Sequence, residues 1–180
     1  LGANWLNEQD TILGARFNET LGNSGSSSMF VDGSAQASLG AGWSLGASWR
    51  QGWTWVGASQ NIVNSSRLTS NAFSFDVGKR GAFAASDHLA LRISQPLRVT
   101  SGGISLDLPV AYDYATLGTT FGSRTFNLAP QGREIASEMA WMLPFDGGYF
   151  SANAFWRQDP GHFQNAPDDL GAAFRLNFEF

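Results

Sequence analysis

The sequence predicts an all-β protein, an antiparallel up-and-down transmembrane β-barrel with about eight strands, formed by residues 1–180. Charged residues are 14% of the chain, against about 25% in an ordinary soluble domain, which indicates that water is not its only solvent. Mean hydropathy is -0.16, and no apolar run approaches the ~18 residues that a spanning helix needs. Apolar and polar residues alternate with period two instead, which is typical of strands with one apolar face.

The clearest strand is the last one, 169–180. From residue 170 onward the even positions are mostly large and apolar, whereas the odd positions are small or polar. This alternation is as long as one tilted membrane strand. A strand of a soluble sandwich also alternates, but it is usually nearer five or six residues and rarely ends a chain on an exposed Phe.

The same period occurs upstream. In one segment Trp43, Leu45, Ala47 and Trp49 alternate with small or polar residues and Arg50. Gly, aromatic and β-branched residues would occupy the interior of any helix drawn through these segments, which disfavours helices. The predicted strands lie near 11–18, 28–39, 43–54, 68–83, 88–98, 133–143, 149–158 and 169–180.

The connections predict an orientation. Short turns at 40–42, 84–87 and 144–148 alternate with long polar loops near 19–27, 56–66, 98–132 and 159–168. Outer-membrane barrels have short periplasmic turns and long extracellular loops, so this alternation places the chain in the bacterial outer membrane with its C-terminus periplasmic.

The segment 98–132 is therefore predicted to be one long extracellular loop, within which 104–110 and 124–128 pair as a hairpin. If these two segments spanned the membrane, 112–120 would become a long periplasmic connection, which the pattern disfavours.

The first ten residues extend beyond the eight strands. Residues 7–10 have the composition of a short turn, so 1–6 are predicted to be the tail of a ninth, preceding strand. The chain would then be the C-terminal part of a longer barrel. In the alternative interpretation, residues 1–10 are a plug or a tether.

In a barrel the apolar face meets lipid and the other face lines the lumen. A midplane Arg on the lipid face would cost roughly 2–4 kcal/mol, so the charges are assigned to the lumen. They form either a lattice of salt bridges that keeps a narrow lumen in shape or a polar conduit for a polypeptide segment. The predicted lumen-facing residues are Arg16, Asp32, Gln36, Arg50, Asp76, Arg80, Arg92, Glu134, Glu138, Arg157, Arg175 and Glu179.

Tryptophan is abundant, with seven residues in a charge-poor chain. An indole is apolar with a single donor, which suits the headgroup layers on the two sides of a membrane. The predicted lipid-belt aromatics are Trp43, Trp49, Trp53, Trp55, Trp141 and Trp156. In the alternative, a soluble β-sandwich that binds carbohydrate, the same residues would pack a core or line a groove.

Residues that carry chemistry are scarce, and neither an enzyme nor a cofactor is predicted for this chain. The net charge of -4 argues against a nucleic-acid partner, and the absence of Cys excludes disulfides and thiol nucleophiles. His88 and His162 lie far apart and have no metal-ligand spacing. The adjacent Ser86, Asp87 and His88 cannot aim at one another as a catalytic triad must.

Three segments resemble the translocator barrels of outer-membrane autotransporters of type V secretion, especially those with a subtilisin-like serine protease passenger. They are Ser94-Gln-Pro-Leu-Arg-Val99, Leu128-Ala-Pro-Gln-Gly-Arg-Glu-Ile135 and Phe155-Trp-Arg-Gln-Asp-Pro-Gly-His162. The alternating last strand also resembles the C-terminal signal that the barrel assembly machinery recognises. That signal would comprise Phe174, Leu176, Phe178 and Phe180.

The resemblance implies a barrel of about twelve strands, of which these are the last eight, that exports and anchors an N-terminal passenger. It implies as partners the outer-membrane lipid and lipopolysaccharide, the barrel assembly machinery, periplasmic chaperones and the chain's own passenger domain. The long loop before the third-last strand carries a hairpin implicated in secretion in that family, which corresponds to 98–132. The alternative function is a small self-contained outer-membrane porin or adhesin barrel.

Overall fold

A computed structural model describes residues 1–16, 25–58 and 63–178. The described chain is built almost entirely of strands, with one 3₁₀ turn at Pro160–His162. None of its helical segments has the length and apolar character required to cross a membrane. The strands are β1 (Gly2–Glu8), β2 (Thr11–Ile12), β3 (Ala15–Arg16), β4 (Ser26–Gly40), β5 (Trp43–Val56), β6 (Val63–Asn64), β7 (Ser66–Arg80), β8 (His88–Asp113), β9 (Gly118–Asn127), β10 (Ile135–Phe145), β11 (Gly148–Gln158) and β12 (Asp169–Phe178).

Eight long strands form one antiparallel sheet in the order β1-β4-β5-β7-β8-β10-β11-β12. Each pairs with the next long strand along the chain, so the topology is up-and-down, and the prediction of an all-β antiparallel fold is confirmed. Within the described residues, β1 and β12 are the two edges of this sheet and do not pair with each other. The short strands β6 and β9 pair with β8, and β2 pairs with β3.

The predicted first strand, 11–18, is wrong over its described residues, 11–16. The prediction that 1–6 belong to a strand is confirmed, but this strand is not a ninth. Strand β1 is itself the first of the eight and pairs with Ser26–Asp32 of β4. Residues 11–16 form a small hairpin whose turn has Leu13 at φ 51° and Gly14 at φ 79°. The Glu8 carboxylate shapes this turn by accepting from the amides of Leu13 and Gly14, each at 2.8 Å. This contact between side chain and backbone has no signature in hydrophobic periodicity.

Strand β8 is 26 residues long and continues well beyond the sheet. Its second half pairs with β9 from Gly103 opposite Asn127 to Asp113 opposite Gly118. We call this hairpin, residues 103–127, the arm. The arm lies within 98–132, although β9 starts at Gly118 rather than at the predicted 124; its extracellular placement stays a prediction.

The cross-strand register divides the sheet into two faces, because paired residues project to the same side. We call the face that carries Asp32, Arg50 and Asp76 the polar face, and the face that carries Trp43, Phe75 and Leu91 the apolar face. The sheet also has two ends. The turn end holds the short connections 41–42, 81–87 and 146–147, and the loop end holds the longer ones and the arm.

Buried apolar side chains collect at the loop end. Ile12 of the small hairpin packs with Val56, Val63, Leu68 and Ile104. Val56 and Leu68 have the register of the polar face, so this cluster covers the polar face where the strands leave the sheet. Away from it, most large apolar side chains of the sheet stay exposed, for example Phe174 at 73%.

Candidate functional site: a sheet with an ionic face and an apolar face

Cross-strand ion pairs run along the polar face. Asp32 lies opposite Arg50 in the register and accepts from its Nε at 2.6 Å, and Asn4 donates to the other oxygen of Asp32 at 2.6 Å. Two strands away, Asp76 accepts from Nε of Arg92 at 2.6 Å. Charges of opposite sign are therefore matched between neighbouring strands, which is how a polar face keeps several charges without repulsion.

A second ionic group lies near the loop end of β11. Arg157 is paired with Asp169 of β12 and lies 3.9 Å from Glu134. The Glu134 side chain is buried, and its carboxylate also accepts from the Gly161 amide at 2.6 Å. A cation and a backbone donor thus stabilise a buried carboxylate, as a buried charge requires.

The polar face is concave between these groups. A depression of about 660 Å³ is lined by the charged residues Asp76, Arg92, Glu138 and Arg157 and by small residues of β8, β10 and β12. Small side chains leave room in this depression, and its charged side chains can form hydrogen bonds with water or a polar ligand. That this surface lines a lumen stays a prediction. No Ser, Thr, Lys or His is among the described residues that line the depression.

Most of the predicted lumen residues share the polar face. Arg16 lies outside the sheet in the small hairpin, Glu134 precedes β10 in the buried group just described, and Glu179 lies outside the described residues. The register brings the other nine to one side: Asp32, Gln36, Arg50, Asp76, Arg80, Arg92, Glu138, Arg157 and Arg175.

The apolar face is exposed along its middle. Trp49 is 48% exposed, Phe75 46%, Leu91 47% and Ile93 51%. A continuous exposed patch of this kind is rare on a soluble monomer and marks a surface that contacts a protein partner, a ligand or a membrane. The residues of the proposed assembly signal that the structure describes, Phe174, Leu176 and Phe178, lie on this face at the β12 edge; Phe180 lies outside the described residues.

Tryptophans occur towards both ends of the apolar face. Trp53, Trp55 and Trp156 lie towards the loop end, and Trp43 and Trp141 towards the turn end. Trp49 lies midway along β5, so its position in the strand does not assign it to either end. Trp5, which the sequence-based set omits, stacks on Trp55 with ring centroids 5.8 Å apart; the alternation of apolar and polar residues in β1 was its only signal.

Three indole N–H groups donate to polar side chains near the strand ends. Trp5 donates to Asn7 at 3.1 Å and Trp156 to Asp168 at 2.9 Å at the loop end. Trp141 donates to Asp87 at 2.8 Å at the turn end. These rings lie on the apolar face, and their donors turn to polar groups at both ends of the sheet. That the two ends lie at membrane interfaces stays a prediction.

Asp87 organises the turn 81–87. Its buried carboxylate accepts from the amides of Ala82 and Phe83 as well as from Trp141. Burial acts to raise the pKa of Asp87, but these donors outweigh it and hold the pKa below its usual value. This use of Asp87 as an acceptor explains its place beside Ser86 and His88 without a triad.

The buried His162 ring links three separate parts of the chain, and we call this set of contacts the latch. Sequence analysis did not find it. Its Nδ1 accepts from the Glu134 amide at 2.9 Å, so Nε2 carries the proton and donates to the Leu97 carbonyl at 3.2 Å. The ring thus joins three parts of the chain: β8 at Leu97, the segment before β10 at Glu134, and the turn after β11 that carries His162 itself. Among the described residues there is no group of His, Asp or Glu that could hold a metal ion.

The chain was compared with protein-family models, with curated proteins and with solved structures, and none of the three comparisons found a match.

Proposed function

We propose that this chain is an outer-membrane translocator domain that exports and anchors an N-terminal passenger and is itself inserted by the barrel assembly machinery. The observation that carries the membrane part is the division of one antiparallel sheet into an ionic face and an exposed apolar face. The part concerning the passenger rests on the family resemblance of the three sequence segments.

The physical case follows from what lipid tolerates. Hydrocarbon cannot solvate unpaired backbone groups or charges, so a spanning sheet must pair its strands and turn its charges away from lipid. In this sheet the Asp32–Arg50 and Asp76–Arg92 pairs lie on one side and Phe75 and Leu91 on the other. The polar face would line a wet lumen, and a polypeptide segment passing through this lumen could form hydrogen bonds with the polar side chains.

The direct test places one charge on each face. Phe75→Arg puts a cation on the apolar face of β7, and the matched control Ser74→Arg puts it on the polar face one residue away. We expect Phe75→Arg to cost about 2–4 kcal/mol of folding free energy in lipid vesicles and Ser74→Arg to cost less. Equal costs, or a native sheet that forms in water without detergent, would contradict the membrane assignment.

Export is tested separately in cells. An epitope-tagged segment is fused before Leu1 behind a secretion signal, and its exposure to external protease is measured on intact Gram-negative cells. Surface exposure that is lost with Phe75→Arg and kept with Ser74→Arg supports translocation. A tag that stays periplasmic while the sheet is inserted would leave only the membrane part.

A self-contained outer-membrane barrel is the second candidate, and one observation favours it. The chain forms eight long strands in one path, the number at which a barrel interior is just filled by side chains. Closure would require β12 to pair with β1, and their directions allow an antiparallel pair.

Because the chain has no Cys, engineered disulfides can decide between the two candidates. Asn4→Cys on β1 is combined in turn with Ala173→Cys or Arg175→Cys on β12, which both share its face. The positive control is Asn7→Cys with Ser27→Cys, which are cross-strand partners. Cross-linking of β1 to β12 in the folded protein favours the self-contained barrel; cross-linking of the control alone favours a larger one.

A further inference from the structure

Two cations lie on the apolar face of the same strand pair, one at each end. Arg67 is the register partner of Trp55 at the loop end, and Lys79 is the register partner of Trp43 at the turn end. The Arg67 guanidinium lies 5.7 Å from the Trp55 ring centroid, and the Lys79 ammonium lies 5.2 Å from that of Trp43. Each cation is therefore held against an indole ring by attraction to its π face.

Neither cation is neutralised within the described part of the chain. The ion pairs found there involve Arg50, Arg92 and Arg157, all on the polar face. Lys79 donates to the carbonyl of Ala41, which leaves its charge uncompensated.

A third cation, Arg98, also has the register of the apolar face, but its guanidinium has hydrogen-bond partners within the chain. Its guanidinium donates to the carbonyls of Pro130 and Gly132, at 2.6 and 3.0 Å. Arg67 and Lys79 thus remain as two cations beside exposed apolar surface, and neither forms a salt bridge with a described carboxylate.

The distance between the two pairs matches a membrane. Strands β5 and β7 keep an unbroken register from Trp43 opposite Lys79 to Trp55 opposite Arg67, twelve residues along the strand. At about 3.3 Å per residue this is roughly 40 Å, and a strand tilt of about 40° reduces it to a height of roughly 30 Å. Outer-membrane barrels have an apolar band about 25 Å tall, so the two cations would lie just outside it, at the depth of the headgroups.

We propose that Arg67 and Lys79, each backed by its cross-strand tryptophan, bind phosphate groups of lipids in opposite leaflets and so fix the depth of the sheet in the bilayer. This inference rests on the proposed membrane location. A guanidinium presents a planar fork to phosphate oxygens, and an ammonium presents a point charge, so both suit a phosphate ligand. The indole beneath each cation keeps it at the interface.

The experiment compares vesicles that differ in headgroup phosphate. One set contains phosphatidylglycerol and the other digalactosyl diacylglycerol, which has no phosphate, with the same acyl chains. The test variant is Arg67→Gln/Lys79→Gln, and the control Arg124→Gln/Arg133→Gln removes the same charge from the arm and the segment before β10. Strand content in octyl glucoside, which has no phosphate, checks that each variant folds.

We expect the wild-type chain to favour phosphatidylglycerol vesicles by about 25-fold in its equilibrium of insertion, since each cation near an anionic surface contributes about fivefold. The test variant loses this preference and each single variant loses about fivefold of it, whereas the control keeps most of it. The variant Arg67→Lys/Lys79→Arg keeps one cation at each position and therefore keeps the preference for phosphatidylglycerol.

Retention of the preference by the test variant would overturn the inference while leaving the membrane location intact. So would a wild-type chain that inserts equally into both vesicles. A wild-type chain that inserts into neither would overturn the proposed function and this inference together.

Discussion

The ring of Phe155 lies against Gly171, its partner across the β11–β12 pair, so closely that a Cβ added at Gly171 would lie 2.6 Å from the ring. Phe30 has the same relationship with Gly52 of β5, where an added Cβ would lie 2.7 Å from the ring. Arg157 lies over the Phe155 ring and Arg50 over the Phe30 ring, and in both pairs the guanidinium carbon is 5.4 Å from the ring centroid. At both positions glycine therefore leaves space for an aromatic ring, which packs on the polar face beside an ion pair.

Substituting Gly171 by Val should destabilise the sheet by about 1–3 kcal/mol, because the new side chain must displace the Phe155 ring. Unfolding by denaturant in detergent micelles, followed by circular dichroism, measures this change. Ala173→Val, two residues along the same face of β12, is the matched control.

The clash also predicts coupling. Gly171→Ala should cost less in a Phe155→Ala background than alone, because the ring that it meets is gone. Additive costs in this double-mutant cycle would show that the ring does not limit the site.

The turn 81–87 should loosen in acid. The folded-state pKa of Asp87 lies below its usual value, so the stabilisation by this carboxylate is complete above about pH 4 and is lost as the pH falls through the folded-state pKa. The emission of Trp141, whose indole donates to Asp87, should change in the same interval.

Asp87→Asn should remove most of this acid transition, because an amide does not titrate. Asp146→Asn, in another short turn at the same end, should leave the transition in place. An unchanged transition in Asp87→Asn would assign it to another carboxylate.

The latch around His162 should hold the loop 159–168 closed. His162→Ala removes the acceptor of the buried Glu134 amide and the donor to the partly exposed Leu97 carbonyl, and a buried amide left without a partner costs about 1–3 kcal/mol. Faster cleavage of this loop in limited proteolysis is the expected result. Phe163→Ala changes a neighbour that is 72% exposed and should leave the cleavage rate near that of the wild type.

Undocking the small hairpin should open the loop end. Ile12 is 3% exposed, and its truncation to Ala should cost about 2–4 kcal/mol by leaving a cavity among Val56, Leu68 and Ile104. Hydrogen exchange of the amides of Leu13 and Gly14, which bind Glu8, reports the release. Leu39→Ala, 63% exposed at the turn end, should leave this exchange unchanged.

The long strands were predictable because each has one apolar and one polar side. The alternation through β5 and β12 fixed both the strand type and the face of Arg50 and Arg175, since a shift of one residue would reverse every side chain. The short turn at 40–42 was predictable from its glycines, because Gly40 and Gly42 adopt the left-handed φ that favours glycine.

The place of β1 in the sheet and the latch were not predictable, because contacts distant in sequence determine them. Strand β1 takes its place through pairing with Ser26–Asp32, and the hairpin after it depends on a carboxylate that binds backbone amides. His162 gains its two partners from segments that precede it by 28 and 65 residues. Periodicity reads neighbours within one segment and gives no information on such contacts.

Strand β8 gives the molecule a mechanical link. It runs as one strand from the turn end at His88 to the tip of the arm at Asp113, with Gly102 at φ 100° where it passes from the sheet into the arm. It is hydrogen-bonded to β7 and β10 in the sheet and to β9 in the arm. A force applied at the tip is thus transmitted along one chain segment into the centre of the sheet, where it loads both neighbouring strands in shear. The register shifts between Thr69 and Phe73 lie on this path, between the arm and the ion pair of Asp76 and Arg92.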